Sequence, residues 1–378
     1  MTQAIDIVYS DAFERYDFGP THPMRPTRLK LTFELMKAVN LLSSPNVKVS
    51  EPRPATREDL QLFHKDEYLD LVKRLSNLGE GYLDMGDTPA FKGCYEASAL
   101  GAGASLEAVD SVMSGRAAHA MNIAGGLHHA HRERASGFCI FNDPAIAIAY
   151  LKKRHGVKRL LYLDVDAHHG DGVMYGFYSD PDVLDIDFHE DGRHLFPGTG
   201  FTNEIGEGKG SGVKINVPLP PFVDDQTYLK LFRAVVPAAV RKFRPEVILL
   251  QCGADSHAND LLAHLQITSI AYCEIAQTMH ELAHEVSQGR YIVLGGGGYN
   301  ISNVARIWTL VASVVAEYDC PDNVPVNWKK LFEALIGESA PDNMKTGNEA
   351  TVRFGQEKML QQADGIIEDL RARIPLLS

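Results

Sequence analysis

Leu160 to Gly172 reads LLYLDVDAHHGDG, an apolar run that abruptly takes on Asp164, Asp166, His168, His169 and Asp171. Alternate side chains of a strand share a face, so Asp164, Asp166 and His168 are expected to point one way, opposite Leu163, Val165 and Ala167. Carboxylates at the end of a buried strand are costly unless a cation or several donors compensate them. A metal ion is the simplest compensator. Asp-x-His supplies one oxygen and one nitrogen ligand, a set suited to zinc or a similar divalent transition metal. A plainer reading has Asp171 and the glycines merely starting the next helix, and only the surrounding chain decides between the two.

Upstream, Ala118 to Ile123 leads into GGLHHAHRERASGFCIFNDPAIAIAYL, where two glycines precede adjacent His128 and His129. Adjacent histidines in a glycine-rich loop are ordinarily solvated. Here Asp164 and Asp171 are available to hold their tautomers, as a carboxylate does for a histidine acting as base. Phe138, after Gly137, either lines a pocket or belongs to the core. Further upstream, Ile5–Tyr9 reads as a strand, and Leu29–Leu42, Arg57–Leu78 and Tyr95–Met113 read as helices. Arg25 and Arg28 lie near the start of the first helix, where the dipole does not favour positive charge, and a solvated pair is the plainer alternative; Gly79–Gly93 is a loop carrying Asp84 and Asp87.

Downstream, Val183–Phe188 is a strand bearing Asp185 and Asp187, followed by LFPGTGF with Phe196 and by an extended KINVPLP. Asp225–Phe243 is helical. Glu246–Cys252 is a β-rich run ending in GADSHAND, which sets Asp255 just past a strand end. Ser269–Val286 is an amphipathic helix and Tyr291–Leu294 a strand, after which Gly295–Gly298 lets backbone approach a ligand and leaves Tyr299 on a turn. No Gly-Lys-Ser/Thr follows, which argues against a phosphate loop. Strands alternating with helices imply a largely parallel sheet whose sites gather beyond the strands' carboxyl ends, where Asp166, His168, Asp255 and Tyr299 all fall.

The bulk properties narrow the setting. The 378 residues carry a formal net charge of −12 and five cysteines without CxxC spacing. Neither a disulfide framework nor a thiolate zinc site is suggested. A cytoplasmic location is expected, with no membrane span and no direct nucleic-acid binding. A lysine-bearing partner suits the acidic surface. The tail from Pro321 to Ser378 reads as loops and two helices.

Taken in order, GGLHHAHRERASGFCIFND, YLDVDAHHGDGV, LFPGTG, GAD and LGGGGYN resemble the zinc-dependent histone deacetylase superfamily. NDPAIAIAYL, FHEDGRHLFPGTGF and NVPLPP are most similar to its prokaryotic acetoin-utilisation branch. The resemblance runs from about Val8 to Leu310. It implies an arginase/deacetylase-like single α/β domain around an eight-stranded parallel sheet, with residues 1–320 catalytic and 321–378 a helical extension packed on the same domain.

By position, the resemblance makes Asp166, His168 and Asp255 the ligands of a Zn²⁺ ion, or of Fe²⁺ in its place. His128 and His129 match the family's histidine pair, oriented by Asp164 and Asp171, and Tyr299 its catalytic tyrosine. Gly137, Phe138, Phe196, Leu262 and Gly297 fall at the acyl-lysine tunnel, Asp87 at its rim, and Arg28 at the acetate-exit region. A structural K⁺ is implied beside Asp164, Asp166, His168, Asp187 and Phe188. Asp187 stands where relatives usually carry serine, so it is expected either to bind that cation more tightly, to be compensated otherwise, or to face solvent. The implied reaction is hydrolysis of N-acetyl-lysine in proteins or peptides, with acetylated polyamines as the alternative substrates. A two-manganese ureohydrolase is disfavoured because Gly170 and His257 replace its further carboxylates. A non-catalytic scaffold is disfavoured because no catalytic position is lost.

Overall fold

The computed structural model describes residues 5–345 and 355–378. Eight strands, β1 (Ile5–Val8), β2 (Val47–Ser50), β3 (His119–Asn122), β4 (Leu160–Asp164), β5 (Val183–Glu190), β6 (Lys214–Leu219), β7 (Val247–Gln251) and β8 (Tyr291–Leu294), form one sheet in the order β2-β1-β3-β8-β7-β4-β5-β6. Every pairing is parallel. Parallel neighbours need crossovers, and helices supply them on both faces. The inner strands β4 and β7 are therefore buried along their whole length.

The helices are α1 (Thr27–Ala38), α2 (Arg57–Leu60), α3 (Asp66–Leu78), α4 (Cys94–Met113), α5 (Asp143–His155), α6 (Asp171–Gly176), α7 (Asp225–Phe243), α8 (Ser269–Val286), α9 (Ile301–Val315), α10 (Val326–Ile336) and α11 (Gln356–Arg373). Side-chain caps set several of their starts. Asn142 accepts from Ala145 N at 2.9 Å and Asp224 from Thr227 N at 2.9 Å, each satisfying a donor that the first turn leaves free. No helix among the described residues is long and apolar enough to cross a membrane. In the tail, Trp328 of α10 donates to Leu31 O of α1 at 2.8 Å, and Ile367 and Leu370 of α11 join the main core.

Three sequence expectations are corrected. Arg57–Leu78 is two helices: α2 opens on a Thr56–Asp59 capping box and stops at Leu60, and Lys65 N donates to Arg132 O at 2.8 Å instead of continuing a helix. The first helix stops at Ala38, where Asn40 turns left-handed at φ 62°. Most consequentially, β4 ends at Asp164, so Asp166 and His168 lie on the following turn, not on one strand face. Carboxylates take the backbone donors there: Asp166 N donates to Asp164 Oδ1 (3.1 Å), Ala167 N to Asp255 Oδ1 (2.9 Å) and His168 N to Asp166 Oδ1 (3.0 Å).

Candidate active site

Asp166, His168 and Asp255 arrive from the ends of β4 and β7, and one ligand atom from each lies within 4.8 Å of the others. His168 Nδ1 is 3.2 Å from Asp166 Oδ1 and 3.0 Å from Asp255 Oδ2, with all three side chains buried. Burial disfavours the His168 cation, yet the two carboxylates outweigh it and push the imidazole up to about 10. Burial and the neighbouring Asp166 in turn raise Asp255. Such crowding of like charge is stable only around a cation.

The backbone leaves room for one. A Cβ at Gly297 would come 2.0 Å from Asp255 Oδ2, and one at Gly253 would come 2.0 Å from Asp166 Oδ2. Two carboxylates, one imidazole and a cradle that any side chain would fill fit a divalent transition ion. Among the described residues no second group of three or more convergent metal-ligand side chains adjoins this one. His257, at a ureohydrolase ligand position, lies 3.0 Å from Asn303 Nδ2 instead.

The histidine pair stands beside this cluster. His128 Nδ1 is 2.7 Å from Asp164 Oδ2, which also accepts from Tyr162 OH at 2.7 Å; His129 Nδ1 is 2.8 Å from Asp171 Oδ1. The two Nε2 atoms face each other at 3.1 Å. Burial opposes both cations, but Asp164 and Asp166 lift His128 to about 9. For His129, burial and the charge of His128 win, lowering it to about 4. Protonated His128 and neutral His129 thus share one pocket, a separation of the kind that assigns acid and base roles.

Tyr299 lines the same pocket with His129, His168 and Gly137. Its backbone N–H donates to Asp260 Oδ2 at 2.8 Å. Burial, Asp255 and Asp166 hold its phenol well above the ordinary value, so the hydroxyl stays a donor. Gly296 and Gly298, at φ 148° and 127°, make the turn.

Phe196, 44% exposed, stands edge-on to His129 with centroids 5.0 Å apart. Phe138 stands edge-on to Tyr299 at 5.9 Å. The two rings therefore border the pocket through different neighbours. A Cβ at Gly137 would meet His129 Cδ2 at 2.5 Å and Phe196 Cε1 at 3.0 Å, and Leu262 packs on the small cluster of Met24, Leu127 and Tyr299. Asp87 connects indirectly: Thr88 Oγ1 donates to Asp87 Oδ1 (3.1 Å) and accepts from Phe138 N (3.0 Å).

Two plainer expectations fail. Arg28 is not solvated. It is buried, its Nη1 donates to Gly296 O (2.8 Å) and Gly298 O (3.1 Å), and its guanidinium lies 5.3 Å from the Trp308 ring centroid. Arg28 also lines a cavity with Tyr16, Met24 and Leu127. Asp187 does not face solvent either. Its carboxyl group accepts from Gly170 N at 2.7 Å and meets His189 Nδ1 at 2.6 Å. It pairs in register with Asp164, and burial with that neighbour raises it well above the carboxylate range. Phe188 is buried in the core beside Tyr228.

Several supporting residues escape the sequence reading. Gln251 Nε2 donates to Asp166 Oδ2 (2.8 Å) and Gly126 O (3.1 Å), while Gly253 N donates to its Oε1 (2.8 Å). Asp143 accepts from Gly126 N (3.0 Å) and Leu127 N (2.9 Å), fixing the loop ahead of the histidines. The available signal was a polar residue closing each apolar run: Gln251 ends EVILLQ, as Asp164 ends LLYLD.

The all-parallel eight-stranded sheet, with its polar cluster beyond the carboxyl ends, defines an arginase/deacetylase-like α/β protein. Residues 22–315 match the histone deacetylase domain model. The chain is 43% identical over 347 residues to the acetoin utilization protein AcuC of Bacillus subtilis strain 168, covering 89% of either chain. It is 39% identical over 343 residues to AcuC of Staphylococcus aureus strain MRSA252, covering 88% of this chain and 87% of the relative. With AcuC of Staphylococcus xylosus it shares 34% over 371 residues, 96% of each. The protein belongs to the histone deacetylase family, and it is a deacetylase-type hydrolase similar to the AcuC proteins.

Proposed function

We propose that the protein hydrolyses the N-acetyl amide of lysine side chains in proteins or peptides, releasing acetate. The observation that carries this reading is the pair of histidines, each held by its own aspartate, converging beside Asp166, His168 and Asp255. Those three residues would hold Zn²⁺, or Fe²⁺ in its place, which when bound supplies Lewis acidity toward the acetyl oxygen and lowers the pKa of water. His129, neutral and fixed by Asp171, takes the proton of the attacking water at Nε2 and returns it to the leaving amine. Protonated His128, anchored by Asp164, stabilises negative charge as it develops. Tyr299 donates its hydroxyl to the acetyl oxygen in the transition state.

Phe138 and Phe196 flank the lysine stem, with Gly137, Gly297 and Leu262 leaving room for it, and Asp87 serves the rim. Arg28 serves acetate departure through the inner cavity. A structural K⁺ beside Asp164, Asp166, His168, Asp187 and Phe188 belongs to the same reading, as do the cytoplasmic location and the division into a catalytic domain at 1–320 and an extension at 321–378. The deciding assay sets acetyl-lysine peptides against acetylspermidine. Turnover of the polyamine alone would replace the lysine substrate while keeping the chemistry, and turnover of neither would remove the reading.

A further inference from the structure

A second cluster lies at the amino-terminal ends of the central strands β3 and β8. HELAH at 280–284 places His280 and His284 one turn apart on the same side of α8, a His-Glu-x-x-His spacing that can put two imidazoles on one metal. Their Nε2 atoms are 2.9 Å apart. Both rings stand edge-on to His119, with centroids 4.7 and 5.1 Å away at 90° and 86°. One ring nitrogen from each of the three lies within 4.8 Å of the others.

His119 is the least ordinary member. It is fully buried, yet neither of its ring nitrogens has a hydrogen-bond partner. A buried imidazole with two orphaned polar atoms carries an uncompensated desolvation cost.

We propose that His119, His280 and His284 form a second metal site, for a divalent transition ion such as Zn²⁺, separate from the deacetylase centre. Zn–N bonds of about 2.0–2.1 Å in a tetrahedron place ligand nitrogens about 3.3 Å apart, so the His280–His284 pair needs only a small rotation. An all-imidazole set selects Zn²⁺, Ni²⁺ or Cu²⁺ over Mg²⁺ and Ca²⁺. His284 is exposed, and the groove beside it is lined by Glu281, Glu317 and Asp319, which gives the ion an acidic entry path and room for a fourth ligand.

The site is remote from the chemistry. His119 opens β3 and pairs with Tyr291, which opens β8, whereas the deacetylase cluster lies beyond the strands' opposite ends. A bound ion ties α8 to the sheet, so its role is structural, and the site stands or falls independently of the catalytic reading.

The test counts ions in chelator-stripped full-length protein dialysed against Zn²⁺, with Mg²⁺ as the control probe. His284→Ala should hold one ion fewer per chain than wild type, keep its deacetylase rate, and lose the zinc-dependent rise in Tm that this site provides. Asp255→Ala removes the other ion, so failure of the catalytic assignment appears in that variant alone. His280→Gln, a closer isostere, repeats the measurement should His284→Ala fold poorly. If both histidine variants bind as many Zn²⁺ ions as wild type, the site does not exist.

Discussion

His128 and His129 face each other through Nε2 atoms 3.1 Å apart, yet each is held at Nδ1 by a different aspartate. Neighbours in sequence and in space, they are driven to opposite protonation states: Asp164 and Asp166 raise His128 against its burial, whereas burial and the charge of His128 lower His129 despite Asp171.

His129→Asn is expected to cut kcat by roughly 10²–10⁴, the usual worth of a positioned general base. Asp171→Asn should reproduce part of that loss by releasing the tautomer of His129. Single-turnover rates on an acetyl-lysine peptide measure both, and an Asp171→Asn rate equal to wild type would detach Asp171 from the role given to it.

Arg28→Met should destabilise the fold and the chemistry together. The substitution leaves Gly296 O and Gly298 O without their donor in a buried site, at a cost of about 1–3 kcal/mol for each orphaned acceptor, and frees the turn that aims Tyr299. Thermal unfolding and kcat should both fall. Arg28→Lys is expected to recover little, since one ammonium does not reproduce a planar fork reaching two carbonyls and a sulfur.

The parallel α/β layout, the bounds of α7, α8 and β8, and the strand-end residues of the site were legible because apolar period and polar interruption carry them directly. The side chains around them were less so. The residues around Arg28 leave solvation open because the carbonyls that bind it belong to a turn 268 residues away. Asp187 can be read as a surface acid because nothing local reveals that it is buried with His189, two residues on, turned back to meet it. His119 is missed for a similar reason: only the folded sheet brings it to the HELAH turn.

Phe196→Ala tests the pocket wall. The ring is partly exposed, so stability should change little, while the KM for acetyl-lysine should rise as the lysine stem loses its apolar flank over His129. Michaelis curves on one peptide decide it, and unchanged kcat and KM would remove Phe196 from the wall.

Stripping metal from the deacetylase centre should abolish turnover and lower Tm, because an ion bound only by the native state stabilises it by mass action. Asp255→Ala should bind one Zn²⁺ fewer than wild type. Undiminished binding in that variant would contradict Asp255 as a ligand.

Tyr299 separates a deacetylase from a protein that merely holds a metal. Its ring packs on Phe138, and its backbone is pinned to Asp260, so removing the hydroxyl alone leaves position and packing in place. If the ring only covers the strand end, Tyr299→Phe keeps nearly all activity. If the hydroxyl meets the acetyl oxygen as charge develops, the variant retains fold and metal content but loses a preorganised donor, and kcat falls by roughly 10²–10³. Substrate binding should move far less, because the interaction strengthens mainly in the transition state. The phenol, held protonated by burial and by Asp255, is already in its donating form before substrate arrives. Single-turnover rates with metal content checked in both proteins give the answer, and a phenylalanine variant within a few-fold of wild type would reduce Tyr299 to packing.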